Sequence, residues 1–485
     1  MARFKSDRYL YLVVLLAAGL RLLKLTVLAR PMWFDETFTA WLAQLSPLKL
    51  VAATAIDVHP PLYYLIEWTT VQVLGSSPWA LRLPSAIFGT LAVWLAYRLF
   101  VILNIPRPVT YLATLGMAVL PVQLHYSTEA RMYTLLLALS IWAAIELKQN
   151  HFGRFALVGL LMMYTHNAAA FTLAGLGLWW LGWAYPTWFK YVKQWALVLC
   201  VIGLGYAAWA VVVLEQSQAN WWLEVTTPGM VIQTLDFLFW FEGVQGFYTL
   251  HTGVLTLGLL VTGWIWLARN GYVNLTIPPL GTMVVNIIVS LLAVPVFLNR
   301  SFIGITPWLY LAAAWGLWQI WLGLPRVVVY AGILPVLVLG IVGYQVKSVS
   351  ANPVDQLLST VDLQPGDVCY HFNVASLVFF RYYFPDCDHW LWAGRVDVLL
   401  NSKSQAAMGM QRAELSTLPK KWSRAWLFVN NDPFVKVPSE DTIQQEAARN
   451  ELQQHPEAVK VLPTVHQVTT SHLIKNEVWL VQHQN

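Results

Sequence analysis

Runs of about 20 apolar residues, separated by short polar connections, recur along roughly the first 350 positions of this chain and then stop. A helix of that length rises about 30 Å, the thickness of a bilayer's hydrocarbon core, so each run reads as a membrane-spanning helix. The runs fall at approximately 9–29, 79–103, 108–126, 131–148, 155–168, 169–186, 195–214, 249–268, 276–298, 302–322 and 327–346, which predicts about eleven spans. Arg98 and Arg107, Lys148 and Arg154, Lys190 and Lys193, Arg269, and Arg326 lie in alternate connections. The bias of basic residues toward the cytoplasm places those connections and the N-terminus inside and the C-terminus outside. The segment Leu62–Leu74 is apolar but short and carries Glu67; a crossing there would turn Arg98 and Arg107 outward, so it reads as a juxtamembrane helix on the outer surface. Arg3, Lys5 and Arg8 ahead of Tyr9–Leu20 have the form of a signal peptide's first half, but no small-residue cleavage site follows, which predicts an uncleaved first span.

From about Asn352 the pattern changes. Asp, Asn, Gln and Pro become frequent, the runs 367–370, 425–429 and 477–481 read as strands, and 439–454 reads as a helix. The expected architecture is therefore a polytopic α-helical membrane module over residues 1–350, with a first outer loop at 30–78, followed by a soluble extracytoplasmic α/β domain at 351–485. Composition agrees: 57% of the residues are hydrophobic and 11% charged, against about 25% charged in a typical soluble protein. The net charge of +5 includes no basic run, which excludes a nucleic-acid partner and leaves the basic residues as topology signals. Cys369 and Cys387 share the soluble domain, and whether they form a disulfide is left open because nothing in the sequence sets their separation. Cys200, within a span, reads as a packing residue. A compact outer domain with few cysteines suits a bacterial plasma membrane.

Once the inner basic residues are assigned, Arg21, Arg82, Arg131 and Arg300 remain at outer span ends. A charge at mid-membrane costs about 2.5 to 3.5 kcal/mol on insertion scales, less near the interface, so such residues need partners or a function. Arginines at one depth repel unless an anion sits among them, and the phosphate of a lipid head group would suit. Snorkelling competes as an explanation for Arg21 and Arg82, and an ion pair with Glu129 competes for Arg131, which stands with Tyr133 at the mouth of two spans.

The first outer loop carries the acids. Asp35 and Glu36 follow Trp33 and Phe34, an apolar setting in which a carboxylate can be oriented for acid-base work; a helix N-terminal acid pair is the competing explanation. Near the loop's end, Pro60 drives His59 into an extended conformation, so its imidazole is presented from a rigid turn that opens the next helix, with Asp57 available to orient it. His166, at another outer span end, is a candidate cavity residue.

An Asp-Glu pair just after the first span, Asp57-Val58-His59-Pro60-Pro61-Leu62 opening a juxtamembrane helix, and the later Arg82-Leu83-Pro84-Ser85, Glu129-Ala130-Arg131-Met132-Tyr133 and Arg300 before Pro307 resemble the protein O-mannosyltransferases and their bacterial relatives, among them the lipid A aminoarabinose transferases. All belong to the GT-C superfamily of membrane glycosyltransferases, and the similarity covers roughly residues 9–325. The resemblance implies transfer of a sugar from a polyprenyl-phosphate donor to a lipid, glycan or protein acceptor at the outer membrane face. It implies Asp35 as the catalytic acidic residue, Glu36 as its neighbour, and Arg131 and Arg300 as donor-phosphate contacts. His59 departs from the aminoarabinose transferases, which carry an acidic residue there, and the α/β module departs from the mannosyltransferases.

In the mechanism these residues allow, Asp35 takes the proton of an acceptor hydroxyl, and arginines stabilise the departing lipid phosphate. Adjacent helical residues point about 100° apart, so Glu36 is poorly placed as a second nucleophile and inversion is expected. Asp35, Glu36 and His59 are acceptable ligands for a divalent metal, but no close His or Cys spacing supports a zinc site, so no cofactor is assigned. A polyprenyl-linked sugar flippase would bind phosphate too, but it predicts mid-membrane polar residues and inverted repeats, and neither is evident. A GT-C oligosaccharide ligase and a non-catalytic assembly protein remain as further alternatives.

Overall fold

The computed structural model describes residues 7–27, 30–56, 59–217, 226–240, 247–323, 361–372, 374–393, 410–414, 424–431, 459–468 and 473–482, with a few isolated positions. The predicted span at 327–346, most of the predicted helix at 439–454, and Asp57 lie outside the described residues. In chain order the helices are α1 (Arg8–Thr26), α2 (Phe34–Leu42), α3 (Pro47–Ile56), α4 (Leu62–Leu74), α5 (Pro78–Ile102), α6 (Arg107–Val119), α7 (Pro121–Tyr126), α8 (Tyr133–Lys148), α9 (Phe152–Thr165), α10 (Ala169–Ala184), α11 (Val192–Ser217), α12 (Pro228–Trp240), α13 (Phe247–Arg269), α14 (Ile277–Leu292) and α15 (Thr306–Gly323). The C-terminal part follows as β1 (Val368–His371), α16 (Val374–Tyr383), β2 (Asp388–Trp392), β3 (Arg412–Ala413), β4 (Arg424–Asn431), β5 (Val459–Val468) and β6 (Leu473–Gln482). The chain divides into two compact units: Met1–Ala29, Val58–Ile66 and Trp79–Ser348 form the first, and Arg30–Asp57, Glu67–Pro78 and Val349–Asn485 the second.

The first unit is a helical membrane body. Helices at Arg8–Thr26, Pro78–Ile102, Trp188–Gln216 and Val273–Leu292 are long and apolar enough to cross a bilayer, and Phe152–Thr165, Ala169–Ala184 and Gly253–Arg269 are shorter apolar helices. The predicted span at 108–126 is broken. Leu120 is extended (ψ 144°) between α6 and Pro121, the first residue of α7. Proline supplies no N–H, so carbonyls at the end of α6 need other donors. Arg21, wholly buried on α1, provides them: its guanidinium donates to Ala118 O at 3.2 Å and Met117 O at 3.4 Å, and to Ala17 O of its own helix at 3.0 Å. Gly89 of α5 makes room, because a Cβ there would overlap Ser127 Oγ and lie 3.0 Å from Arg21 Nε. Between α11 and α13 stands α12, whose 13 residues are too few to span.

The second unit contains a six-stranded sheet in the order β3-β2-β1-β4-β6-β5, parallel from β3 through β4 and antiparallel at β6 and β5. Every residue of β1 is buried, as expected of a parallel strand covered on both faces. Cys369, Phe380, Trp426 and Phe428 pack on one side, and Val368, Tyr370, Trp390 and Leu427 on the other. Cys369 and Cys387 form a disulfide, with Cα atoms 6.0 Å apart. His371 and His389 stack beside it, His371 Nε2 lying 2.9 Å from His389 Nδ1. His389 Nε2 donates to Phe384 O at 2.8 Å, so its Nδ1 accepts from His371, whose Nδ1 in turn accepts from Ser376 Oγ at 3.2 Å. Burial, reinforced by His389, holds the His371 imidazole well below the usual histidine range; burial likewise pushes His389 down to about 4.

Candidate active site

The conspicuous cluster of the helical unit is built where the chain enters α4. His59 precedes Pro60 and Pro61, and α4 opens at Leu62, so the imidazole is presented from a proline-fixed turn as expected. One turn in, Tyr63 and Tyr64 are both fully buried. Arg131, 2% exposed in the turn before α8, donates from Nη1 to Tyr64 Oη at 3.0 Å and from Nη2 to His59 Nε2 at 3.4 Å. A guanidinium only donates, so His59 Nε2 is the acceptor and the proton of the neutral ring sits on Nδ1. Ser85 fixes the backbone behind it: its hydroxyl donates to Arg131 O at 3.0 Å, and therefore Tyr63 donates to Ser85 Oγ at 2.7 Å.

The cluster extends along aromatic rings. His166 lies edge-on to His59 with centroids 5.4 Å apart, and 6.0 Å from Tyr133. Its Nδ1 accepts Ala168 N–H at 3.0 Å at the start of α10, which leaves Nε2 as the donor. Tyr133 packs on Tyr126 at 4.6 Å, and the Arg300 guanidinium stands 5.9 Å over its ring. Arg131, His59, His166, Tyr133 and Arg300 thus form one arc rich in cationic and N–H donor groups. Glu129 lies next to it in sequence, its Oε2 3.0 Å from His125 Nε2. Of the other predicted residues in this unit, Arg21 caps the α6 break and Arg82 is buried on α5 one turn before Ser85. Tyr63 and Tyr64 carry no mark in the sequence beyond adjacency to the His-Pro-Pro motif, and Ser85 stands in the Arg82-Leu83-Pro84-Ser85 motif without being singled out for a role.

Asp35 and Glu36 belong to the second unit, at the second and third positions of α2. Glu36 is fully buried and serves the helix: its Oε2 accepts Trp33 N–H at 3.4 Å and lies 3.7 Å from Arg30 Nη2. Acids in a first turn stabilise a helix through its macrodipole, so α2 gains from both carboxylates whatever else they do. Asp35 is half-buried.

Multiple apolar helices joined to a C-terminal sheet define a multi-pass integral membrane protein, and its fold is shared with solved structures. The chain is similar to ArnT from Cupriavidus metallidurans in the apo state, with a TM-score of 0.62, 10% identity, and coverage of 96% of this chain and 97% of that one. It is similar to the same protein bound to undecaprenyl phosphate at a TM-score of 0.59 and 11% identity, covering 97% and 98%. An oligosaccharyltransferase from Archaeoglobus fulgidus aligns at a TM-score of 0.47 and 9% identity, covering 86% of this chain and 68% of that one. No family model and no curated protein sequence matches the chain.

Proposed function

We propose that this protein is a glycosyltransferase that moves a sugar from a polyprenyl-phosphate donor to an acceptor at the outer face of a bacterial plasma membrane. The observation that carries the reading is the arc from Arg131 through His59, His166 and Tyr133 to Arg300, in which Arg131, His166 and Tyr133 are buried, set in a fold shared with a protein crystallised with undecaprenyl phosphate. Arg131 is buried with its planar fork directed by Tyr64 and His59, a geometry suited to the oxygens of a phosphate. A lipid phosphate placed there would meet donors that need little reorganisation as charge develops on the departing phosphate, where such groups act most strongly.

In the reaction, Asp35 removes the proton of the acceptor hydroxyl as the oxygen forms a bond to the anomeric carbon. The bond from that carbon to the phosphate oxygen breaks, and the electron pair leaves with the lipid phosphate, stabilised by Arg131 and Arg300. The single displacement inverts the anomeric configuration. Glu36 supports α2, Arg21 supports the α6 break, and neither needs to touch the donor.

The test is a panel of radiolabelled polyprenyl-phosphate monosaccharides offered to the purified full-length protein, with donor consumption and product formation scored separately. Consumption of one donor with release of the polyprenyl phosphate is the expected result. Binding of the whole panel without consumption of any would refute the transferase reading and favour a flippase.

A further inference from the structure

The first outer loop is held at both ends by one short helix of the C-terminal sheet unit. The apolar residues of α16, Val374, Leu377, Val378 and Phe380, are buried, and its last residues face the other way. There Tyr383 Oη accepts Met32 N–H at 2.6 Å and donates to Met32 O at 3.4 Å. Its neighbour Tyr382 donates to Ser76 O at 2.8 Å, just after Gly75, whose φ of +78° lets the chain leave α4 sharply. Arg381 lays its guanidinium 4.6 Å over the ring of Trp41 on α2. Three consecutive residues therefore grip the loop's entry, its exit and the helix between. The Cys369–Cys387 disulfide closes the segment that contains all of α16, bracing the gripping helix against β1.

Met32 is three residues before Asp35 and one before the N-cap of α2. Fixing both its N–H and its C=O sets where α2 begins, and so where the carboxylate stands. We infer that Tyr383 is a positioning residue for Asp35, and that the C-terminal sheet unit acts in catalysis by holding the first outer loop in register. The inference rests on the proposed role of Asp35. Sub-ångström misplacement of a reacting group is costly to rate and nearly neutral for binding a substrate held elsewhere, so the effect should fall on kcat.

The experiment uses full-length protein with the donor identified by the panel above, and compares wild type, Asp35→Asn, Tyr383→Phe, and Asp35→Glu with and without Tyr383→Phe. The expected result is loss of turnover in Asp35→Asn and a roughly five- to tenfold lower kcat in Tyr383→Phe, which removes both hydrogen bonds of the hydroxyl to Met32, with KM for donor unchanged. In the Asp35→Glu background, where the carboxylate is already displaced, Tyr383→Phe should cost less than in wild type, because the two act through one position. Hydrogen exchange supplies a readout independent of activity: the Met32 amide should exchange faster in Tyr383→Phe while the strands keep their protection. Asp35→Asn inactive with Tyr383→Phe at full kcat, an unaltered Met32 amide, or equal costs in both backgrounds would each overturn the positioning role. Turnover retained by Asp35→Asn would instead remove the reading beneath it, and this inference with it.

Discussion

Replacing Arg131 with Gln keeps a side chain of similar reach and removes the charge and the fork. In the native protein the guanidinium is 2% exposed, bonded to Tyr64 and His59, and its own carbonyl is held by Ser85. So constrained, it has little rotamer freedom left to lose on meeting a phosphate. A hydrogen bond to a charged group is worth about 1.5 to 3 kcal/mol net, and the middle of that range, about 2 kcal/mol, corresponds to a roughly thirtyfold weaker affinity. Arg131→Lys restores the charge as a point without the planar fork, so a loss of roughly tenfold is expected. The assay is titration of undecaprenyl phosphate into detergent-solubilised protein, alongside thermal unfolding to confirm that each variant is folded. Folded Arg131→Gln that binds within about twofold of wild type would show that the arc is not the phosphate site, whatever the turnover.

Other outcomes follow from the same geometry. Ser85→Ala leaves both Tyr63 Oη and the Arg131 carbonyl without their bond in a buried place, at a cost of about 1 to 3 kcal/mol, visible as a lower melting temperature that Ser85→Thr largely restores; an unchanged melting temperature would contradict the network. The sheet unit should be acid-sensitive through His371 and His389. Their folded pKa values are depressed, with His389 at about 4, so the unfolded chain binds more protons than the folded one once the pH drops below the usual histidine value. Their contribution is fully present above about pH 6.5 and is lost as pH falls toward 4. Amide protection of β1 and β2 should decline across that window, and a replacement such as His389→Gln should flatten the decline; a pH-independent wild type would refute it.

Length and apolarity made the four long apolar helices at Arg8–Thr26, Pro78–Ile102, Trp188–Gln216 and Val273–Leu292 readable, and Leu62–Leu74 is a helix with the predicted bounds because the prolines before it and Gly75 after it punctuate the chain locally. What length thresholds cannot see are interruptions and short pieces. The Leu120–Pro121 break leaves the apolar run intact, and α12 is shorter than a span. Among the strands, β1, β4 and β6 show as apolar runs, whereas β2, with Asp388 and His389 at its start, and β5, interrupted by Pro463, do not. The disulfide was undecidable because it depends on β1 and β2 pairing in parallel with Cys369 opposite His389, a long-range register. At the site, the chemically unusual residues were legible one by one: His59 from its prolines, Arg131 and Arg300 from charge at a span end. Their partners were not, since a Tyr or Ser in an apolar helix carries no mark until a neighbour from another helix meets it. Arg21 shows the converse, a buried charge whose donors serve carbonyls freed by a proline nearly 100 residues away in the chain.

The most direct test of the central claim is turnover by wild type and Asp35→Asn side by side on the donor that the panel identifies, with undecaprenyl phosphate affinity measured on the same preparations. The account predicts that the Asn variant binds the lipid phosphate as wild type does and neither transfers the sugar nor hydrolyses the donor. Transfer at an undiminished rate by Asp35→Asn would contradict it, because no base of that residue would then be needed for the acceptor to attack.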